Sequence, residues 1–254
     1  MGSLAPAVKA NSSKEEINVL VTGFGPFGEN TTNPAYQVAK SLPDRRDIPG
    51  LPPIILHCHP KPITVSYAHV REIIPELLFP QDGLEPKFDI VLNIGLAPGR
   101  HFYTMETLAH RDGYNKKDVD GNTLEGDTFW QIEYKAPETL FSSFDTKDVW
   151  RRWKSGLMKE DLRPSNNAGH YLCDFTYYAC LLEYWRREPK GRRPCMFLHV
   201  PNGLEEEDIR RGREAALGLI VALVASEMAG HRSPRVEDIM EEEEWDRAAD
   251  DECS

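Results

Sequence analysis

The sequence has no apolar run long enough to cross a membrane. The longest candidate, residues 215–225, contains Gly218 and continues as an amphipathic pattern, whereas a membrane-spanning helix needs about 18 to 20 consecutive apolar residues. Residues 1–16 also lack the apolar core of a secretion signal. We therefore expect a cytoplasmic protein without a membrane partner.

Cysteine is scarce and scattered. The chain has five cysteines and no CxxC pair. In a reducing compartment such a set is expected to remain as free thiols rather than form a disulfide framework. The five are Cys58, Cys173, Cys180, Cys195 and Cys253.

Basic residues are fewer than acidic ones. The 254 residues include 30 Lys and Arg against 41 Asp and Glu, for a net charge of −11. Without a basic stripe, nucleic acid is not expected as a partner. Ten of the acidic residues and one basic residue lie in residues 237–254, which carry a net charge of −9. This segment is typical of a disordered, solvated tail, with an interaction tail as the alternative.

Short β-branched runs alternate with longer amphipathic stretches along the chain. This alternation predicts an α/β fold with a mostly parallel sheet covered on both faces. From residue 97 to residue 138 the pattern loosens and predicts a long loop followed by a short strand, 130–134. The predicted strands are 17–22, 52–59, 88–94 and 196–200, and the predicted helices are 33–42, 64–79, 145–157, 172–187 and 208–229. We expect one catalytic domain over residues 16–233, between a disordered segment, 1–15, and an acidic tail, 234–254.

The first strand ends in a glycine-rich turn, Gly23-Phe24-Gly25-Pro26-Phe27-Gly28. The turn matches the G-x-G-x-x-G pattern of dinucleotide-binding proteins, in which a helix begins within the glycines. Here the helix signal, Asn33-Pro34, comes five residues later, Pro26 removes an amide donor, and no acidic residue ends the second strand. We therefore interpret the turn as an apolar wall, formed by Phe24 and Phe27 where α/β sheets bind ligands.

His57-Cys58-His59 is the one short motif that suggests a metal. Strand alternation places both histidines on one face. We find no other ligand cluster in the sequence to accompany them, so no metal site is predicted.

Cys173 has the placement of a nucleophile. Residues 165–170 are rich in cap-type residues and precede a predicted helix, so Cys173 falls in the first turn, where free N–H groups and the helix dipole favour the thiolate. A thiolate nucleophile also needs a base and an orienting group. His199 ends a buried strand and Glu106 lies after a predicted strand, although alone the first is typical of a core residue and the second of a surface one. A parallel sheet would gather all three at one edge.

Three motifs together resemble the pyroglutamyl-peptidase I family, also called the pyrrolidone-carboxylate peptidases. The motifs, in chain order, are Val21-Thr22-Gly23-Phe24-Gly25-Pro26-Phe27-Gly28 with Asn33-Pro34, Ala168-Gly169-x-Tyr171-Leu172-Cys173, and Phe197-x-His199-Val200-Pro201. The resemblance spans roughly residues 17–228 and is closest to the animal-type enzymes around Cys173. It implies an α/β/α sandwich and a cysteine peptidase that removes N-terminal pyroglutamate without a cofactor.

The resemblance also implies roles for individual residues. Cys173 would be the nucleophile, His199 the general base and acid, and Glu106 the carboxylate that orients the histidine. The residues expected at the pyrrolidone ring are Phe24, Phe27, Leu96, Tyr171 and Leu172.

Two positions depart from the bacterial pattern of the family. Leu96 stands where many members have a glutamine, and Arg111 where asparagine is usual. These departures motivate an alternative, a catalytically weak homologue that binds N-terminally modified peptides. A nucleotide-dependent oxidoreductase is a third hypothesis, which rests on the glycine-rich turn alone.

Overall fold

The structure is a computed structural model that describes residues 15–28, 31–80 and 87–230. The predicted tail, 234–254, with Cys253, and most of the predicted N-terminal segment lie outside these residues. The strands are β1 Ile17–Gly23, β2 Arg45–Arg46, β3 Ile54–Cys58, β4 Ile90–Leu96, β5 Tyr103–Glu106, β6 Leu108–His110, β7 Thr139–Phe141, β8 Leu162–Ser165 and β9 Cys195–Val200. The helices are α1 Pro34–Lys40, α2 Tyr67–Leu78, α3 Phe129–Tyr134, α4 Thr146–Gly156, α5 Leu172–Arg187 and α6 Glu206–Met228.

Seven strands form the central sheet, in the order β2-β3-β1-β4-β9-β5-β8. The four strands β3, β1, β4 and β9 run parallel to one another. β5 pairs with β9 in the antiparallel direction, and β8 runs parallel to β5. The mostly parallel sheet that the sequence predicts is therefore confirmed, with a reversed pair of strands at one side.

Helices cover both faces of the sheet, which makes the α/β/α sandwich. α6 packs against α1 and α4 on one face, and α2 packs against α5 on the other. β9 illustrates how alternation divides the core, because Met196 and Leu198 belong to the first face and Phe197 to the second. His199 follows this alternation onto the face that α5 covers.

Local sequence signals set several helix starts. Asn33 caps α1 by accepting a hydrogen bond from the amide of Ala35, and Pro34 occupies the first turn. Ser66 caps α2 in the same way. Among the described helices, none combines the length and apolar character that crossing a bilayer requires.

The prediction for residues 97–138 was wrong in two places. Residues 130–134 belong to the helix α3 rather than to a strand. Trp130 is the one buried residue of this helix, and its ring stacks on Phe175 with ring centroids 4.5 Å apart. A strand would bury Trp130 and Ile132 together, yet Ile132 is 72% exposed. The predicted long loop also contains β5 and β6; every residue of β5 is buried, so it shows no polar alternation.

Candidate active site

A cavity of about 550 Å³ opens where β1, β4 and β9 end. Because these strands are parallel neighbours, the segments that follow them meet at one edge of the sheet. The cavity is lined by Phe24 and Phe27 after β1, by Leu96 and the following loop at the end of β4, and by His199. The first residues of α5, with Cys173, complete the wall.

Cys173 lies in the first turn of α5, as the sequence predicts. Tyr171 is the N-cap residue and its side chain makes no capping hydrogen bond, so the first-turn amides are not occupied by it. Opposite the thiol, a Cβ on Gly95 would lie 2.8 Å from the Cys173 sulfur. The missing side chain of Gly95 therefore makes room for the sulfur.

His199 is the buried partner of the thiol. Burial opposes the charged imidazolium, but the charge of Cys173 and its hydrogen bond, together with Glu106, outweigh burial and raise the pKa of His199 to about 9. The protonated imidazolium is the form of His199 that these interactions favour.

Glu106 holds the other side of the imidazole. The Nδ1–H of His199 donates to Oε1 of Glu106 over 2.7 Å, which leaves Nε2 as the nitrogen available to Cys173. Burial alone would raise the pKa of Glu106, yet the hydrogen bond and charge of His199, with the charge of Arg100, hold that pKa below its usual value. The carboxylate is fully buried and stays charged.

Glu106 reaches this site through a strand arrangement that differs from the predicted parallel one. Glu106 ends β5, but β5 runs antiparallel to β9, so this end does not share the sheet edge at which β1, β4 and β9 end. Glu106 lies opposite Phe197, and Thr104 lies opposite His199. Glu106 reaches His199 as a diagonal neighbour on the same face of an antiparallel pair. The segment before Cys173 likewise follows β8, which runs parallel to β5.

Arg100 is a site residue that the sequence analysis missed. Its Nη1 donates to the same Oε1 of Glu106 over 2.7 Å, and its Nη2 donates to the carbonyl of Asn167 over 3.2 Å. Arg100 thereby connects the loop after β4 to the segment that leads to Cys173. Arg100 follows Pro98-Gly99 in a loop, and no local pattern of the sequence indicates its role. The one available signal is its closeness in the sequence to Glu106, six residues later.

The five predicted substrate-binding residues all line the cavity. They are Phe24, Phe27, Leu96, Tyr171 and Leu172. Phe24 is fixed from behind by Phe197, with ring centroids 6.5 Å apart, and the hydroxyl of Tyr171 donates to the carbonyl of Lys117. Among the described residues, the lining includes the cations Arg100 and Lys116 and no carboxylate.

The glycine-rich turn allows close packing between β1 and α1. A Cβ on Gly23 would lie 2.7 Å from the Cα of Tyr36, so this glycine lets α1 approach β1 closely. The amide of Gly25 donates to the carbonyl of Ile63, and the carbonyl of Gly25 accepts from Asn33. The amide of Gly25 is therefore not available to a phosphate.

Two further sequence features face away from the cavity. His57 contacts the side chain of Asn18, and His59 contacts the carbonyl of Lys61, so both imidazoles have protein partners. Arg111, the second departure from the bacterial pattern, donates to the carbonyl of Ala136 and does not line the cavity.

Comparisons with known proteins identify the family of this chain. The sequence model described as pyroglutamyl peptidase matches residues 17–216. Pyroglutamyl-peptidase 1 of Mus musculus is 32% identical over 72% of this chain and 78% of its own length. Pyrrolidone-carboxylate peptidase of Deinococcus radiodurans is also 32% identical, over 72% of this chain and 77% of its own.

Solved structures show the same fold. A mutant pyrrolidone carboxyl peptidase from Pyrococcus furiosus superposes with a TM-score of 0.64 at 25% identity, covering 82% of this chain and 99% of the other. The pyrrolidone carboxyl peptidase of Thermococcus litoralis gives a TM-score of 0.65 at 20% identity, over 87% of this chain and 99% of the other. With the family model matching most of its length, the chain belongs to the pyroglutamyl peptidase family.

Proposed function

We propose that this chain is a cysteine peptidase that removes an N-terminal pyroglutamyl residue from peptides through a thioester on Cys173. The observation that carries the proposal is the order of contacts at one cavity wall. A thiol at a helix start interacts with His199, and His199 donates to the buried Glu106. This is the arrangement of a nucleophile, a base and an orienting group, in a chain whose relatives are named for pyroglutamyl peptidase activity.

The first step is acylation. The thiolate of Cys173 attacks the acyl carbon of the pyroglutamyl residue, and the first-turn amides of α5 stabilise the oxyanion that forms. The imidazolium of His199 then gives its proton to the amide nitrogen as the C–N bond breaks. The peptide leaves with a free amine, and the pyroglutamyl group remains on sulfur as a thioester.

Hydrolysis of the thioester completes the cycle. His199 is neutral after acylation and accepts a proton from water as the water oxygen bonds to the acyl carbon. The C–S bond breaks, free pyroglutamate leaves, and the thiolate–imidazolium pair is restored. Glu106 keeps the proton on Nδ1 throughout, so that Nε2 is the nitrogen that exchanges protons.

The cavity suits a neutral lactam. A pyrrolidone ring is small, flat and uncharged, which matches a wall of Phe24, Phe27 and Leu96. Within the described part of the chain, the lining offers a free N-terminal ammonium two cations and no carboxylate, so the ammonium would lose its hydration without a partner. The side chain of Leu96 can offer the ring an apolar contact only, so hydrogen bonds to the lactam have to come from other lining groups.

The experiment is release of free pyroglutamate from a chromogenic pyroglutamyl amide. Turnover by the full-length chain that is abolished by Cys173→Ala and retained by Cys58→Ala would support the proposal, because Cys58 is a half-buried thiol outside the cavity. Binding of the amide without turnover would instead support the alternative of a peptide-binding homologue. Turnover retained by Cys173→Ala would overturn the thioester mechanism.

A further inference from the structure

A cluster of side chains that could bind a metal ion lies near the start of α5, outside the lining of the cavity that contains Cys173. It consists of His110 at the end of β6, His170 in the segment before α5, and Asp174 in the first turn of α5. One ring nitrogen of each histidine and one carboxylate oxygen of Asp174 all lie within 4.8 Å of one another. We propose that this cluster is a binding site for a divalent transition-metal ion, with Zn²⁺ as the ion that its ligands suit.

The distances fit a tetrahedral ion. Zn²⁺ binds imidazole nitrogen and carboxylate oxygen at about 2.0 to 2.2 Å, which places neighbouring ligand atoms about 3.3 Å apart. Oδ2 of Asp174 lies 3.0 Å from Nδ1 of His110 and 3.6 Å from Nδ1 of His170. The two imidazole rings face the same oxygen with centroids 4.5 Å apart. Small ring movements would close the third edge, and the fourth position would be left for water.

The carboxylate is held in place for this task. Asp174 is fully buried, and its other oxygen, Oδ1, accepts a hydrogen bond from the backbone amide of His110 over 2.9 Å. Such a contact outside the coordination shell fixes the direction of a ligand. The His110 and His170 side chains remain 28% and 43% exposed, so an ion has a path from solvent.

The backbone around His170 is arranged to bring its ring to Asp174. His170 has φ +46, in the left-handed region that costs a side-chain-bearing residue energy. Gly113 makes the space, because a Cβ there would lie 2.8 Å from Nδ1 of His170. In the structure, Nδ1 of His170 lies 3.3 Å from the carbonyl oxygen of Asp112. A metal ion would supply the strongest partner for this position.

The proposed ion takes no part in the peptidase reaction. Glu106 and His199 are separate from the cluster, and none of its three residues lines the cavity. Its effect is on the neighbouring wall, because Gly169 and Tyr171 flank His170 and line the cavity. The site involves neither His57 nor His59, the two histidines whose spacing in the sequence suggests a metal.

The test uses full-length protein carrying Cys173→Ala, which removes the catalytic thiol as a competing ligand. Co²⁺ is titrated in and its visible absorption is followed. The expected result is one tetrahedral Co²⁺ per chain, displaced by one equivalent of Zn²⁺, without a thiolate charge-transfer band. Octahedral carboxylate binding, for example in the acidic residues 241–244, would give much weaker bands.

Two ligand variants are then compared in this background. His170→Asn and His110→Asn should each weaken Co²⁺ binding by about tenfold or more; asparagine tolerates the left-handed backbone at position 170. His69→Asn, on α2, is the matched control and should bind as the parent does. Thermal unfolding without metal establishes that each variant is folded. Absence of stoichiometric Co²⁺ binding, or equal affinity in the two folded ligand variants and the parent, would overturn the site.

Discussion

Glu106 and His199 lie on neighbouring antiparallel strands, two positions out of register, and their side chains meet with Oε1 2.7 Å from Nδ1. The bond fixes the imidazole ring while leaving its other nitrogen for Cys173. Arg100 shares the same carboxylate oxygen, so the charge of Glu106 is held from two sides. The reactivity that we propose for Cys173 depends on this buried arrangement.

Glu106→Gln should lower kcat by about 10²- to 10⁴-fold, because the amide can neither stabilise the imidazolium nor enforce the Nδ1–H tautomer. Steady-state kinetics with a pyroglutamyl amide measures the change. The matched control is Glu183→Gln, since Glu183 is also a buried glutamate paired with arginines but lies near the C-terminal end of α5, outside the cavity lining. An unchanged kcat in Glu106→Gln would remove Glu106 from the catalytic group.

The pH dependence follows from His199, whose pKa is raised from 6.5 to about 9. A raised pKa in the folded state stabilises the fold fully below about pH 6.5, and this contribution is lost as the pH rises through about 9. The activity should fall over the same alkaline range, because neutral His199 cannot protonate the leaving amine. A pH profile of kcat/KM should show this alkaline limb, and Glu106→Gln should move it to lower pH. A limb that stays in place in Glu106→Gln would contradict the coupling.

Gly95→Ala should reduce activity on the order of 10²-fold, because the new Cβ would lie 2.8 Å from the Cys173 sulfur and 2.7 Å from the Phe197 ring. The thiol would have to move from its position beside His199. Gly156→Ala is the control, since a Cβ at Gly156 meets nothing within 4 Å and Gly156 does not line the cavity. Equal kcat values for the two variants would show that the position of the sulfur is not tightly constrained.

Pyroglutamyl amides should be cleaved, while the matching glutaminyl and glutamyl amides with free amines should not. Of the residues that the structure describes, those lining the cavity with Phe24 and Phe27 include no carboxylate to receive an ammonium, so the desolvation of the ammonium is uncompensated. Comparing kcat/KM for the three amides with one leaving group measures the discrimination. Comparable values would show that the aromatic wall is not the pyroglutamyl pocket.

The sequence was sufficient where the local pattern and the tertiary structure agree. α5 begins and ends where the periodicity and caps predict, at residues 172 and 187, and β1 has its predicted start at Ile17. Phe24 and Phe27 of the glycine-rich turn line the cavity as the sequence predicts, and the features that argue against a nucleotide loop, the spacing to Asn33 and the presence of Pro26, are local facts. These features depend on neighbours along the chain.

The sequence was insufficient where distant contacts decide the structure. The direction of β5 is set by its pairing with β9, and no residue of the segment Tyr103–Glu106 encodes that direction. Residues 130–134 were predicted as a strand but belong to the helix α3, in which Trp130 stacks on Phe175, a contact between residues far apart in the sequence. Arg100 was missed for the same reason, since its partner is identified by the fold.

The central claim is that Cys173 is the activated nucleophile, and the other described cysteines provide the contrast. Burial raises the pKa of Cys58, raises that of Cys180 to about 12, and raises that of Cys195 well above its usual value. Cys173 instead lies at a helix start with His199 beside it. Cys253 is a competitor outside the described residues, and its acidic neighbours in the sequence, residues 250–252, should slow it by raising its pKa.

Partial alkylation with iodoacetamide near neutral pH, followed by peptide mapping, tests this claim most directly. Our account predicts that Cys173 is labelled fastest of the five thiols and that activity is lost in step with its labelling. If Cys253 is labelled first while activity persists, the activation of Cys173 in the resting enzyme is contradicted. If activity disappears while Cys173 stays unlabelled, Cys173 is not the nucleophile.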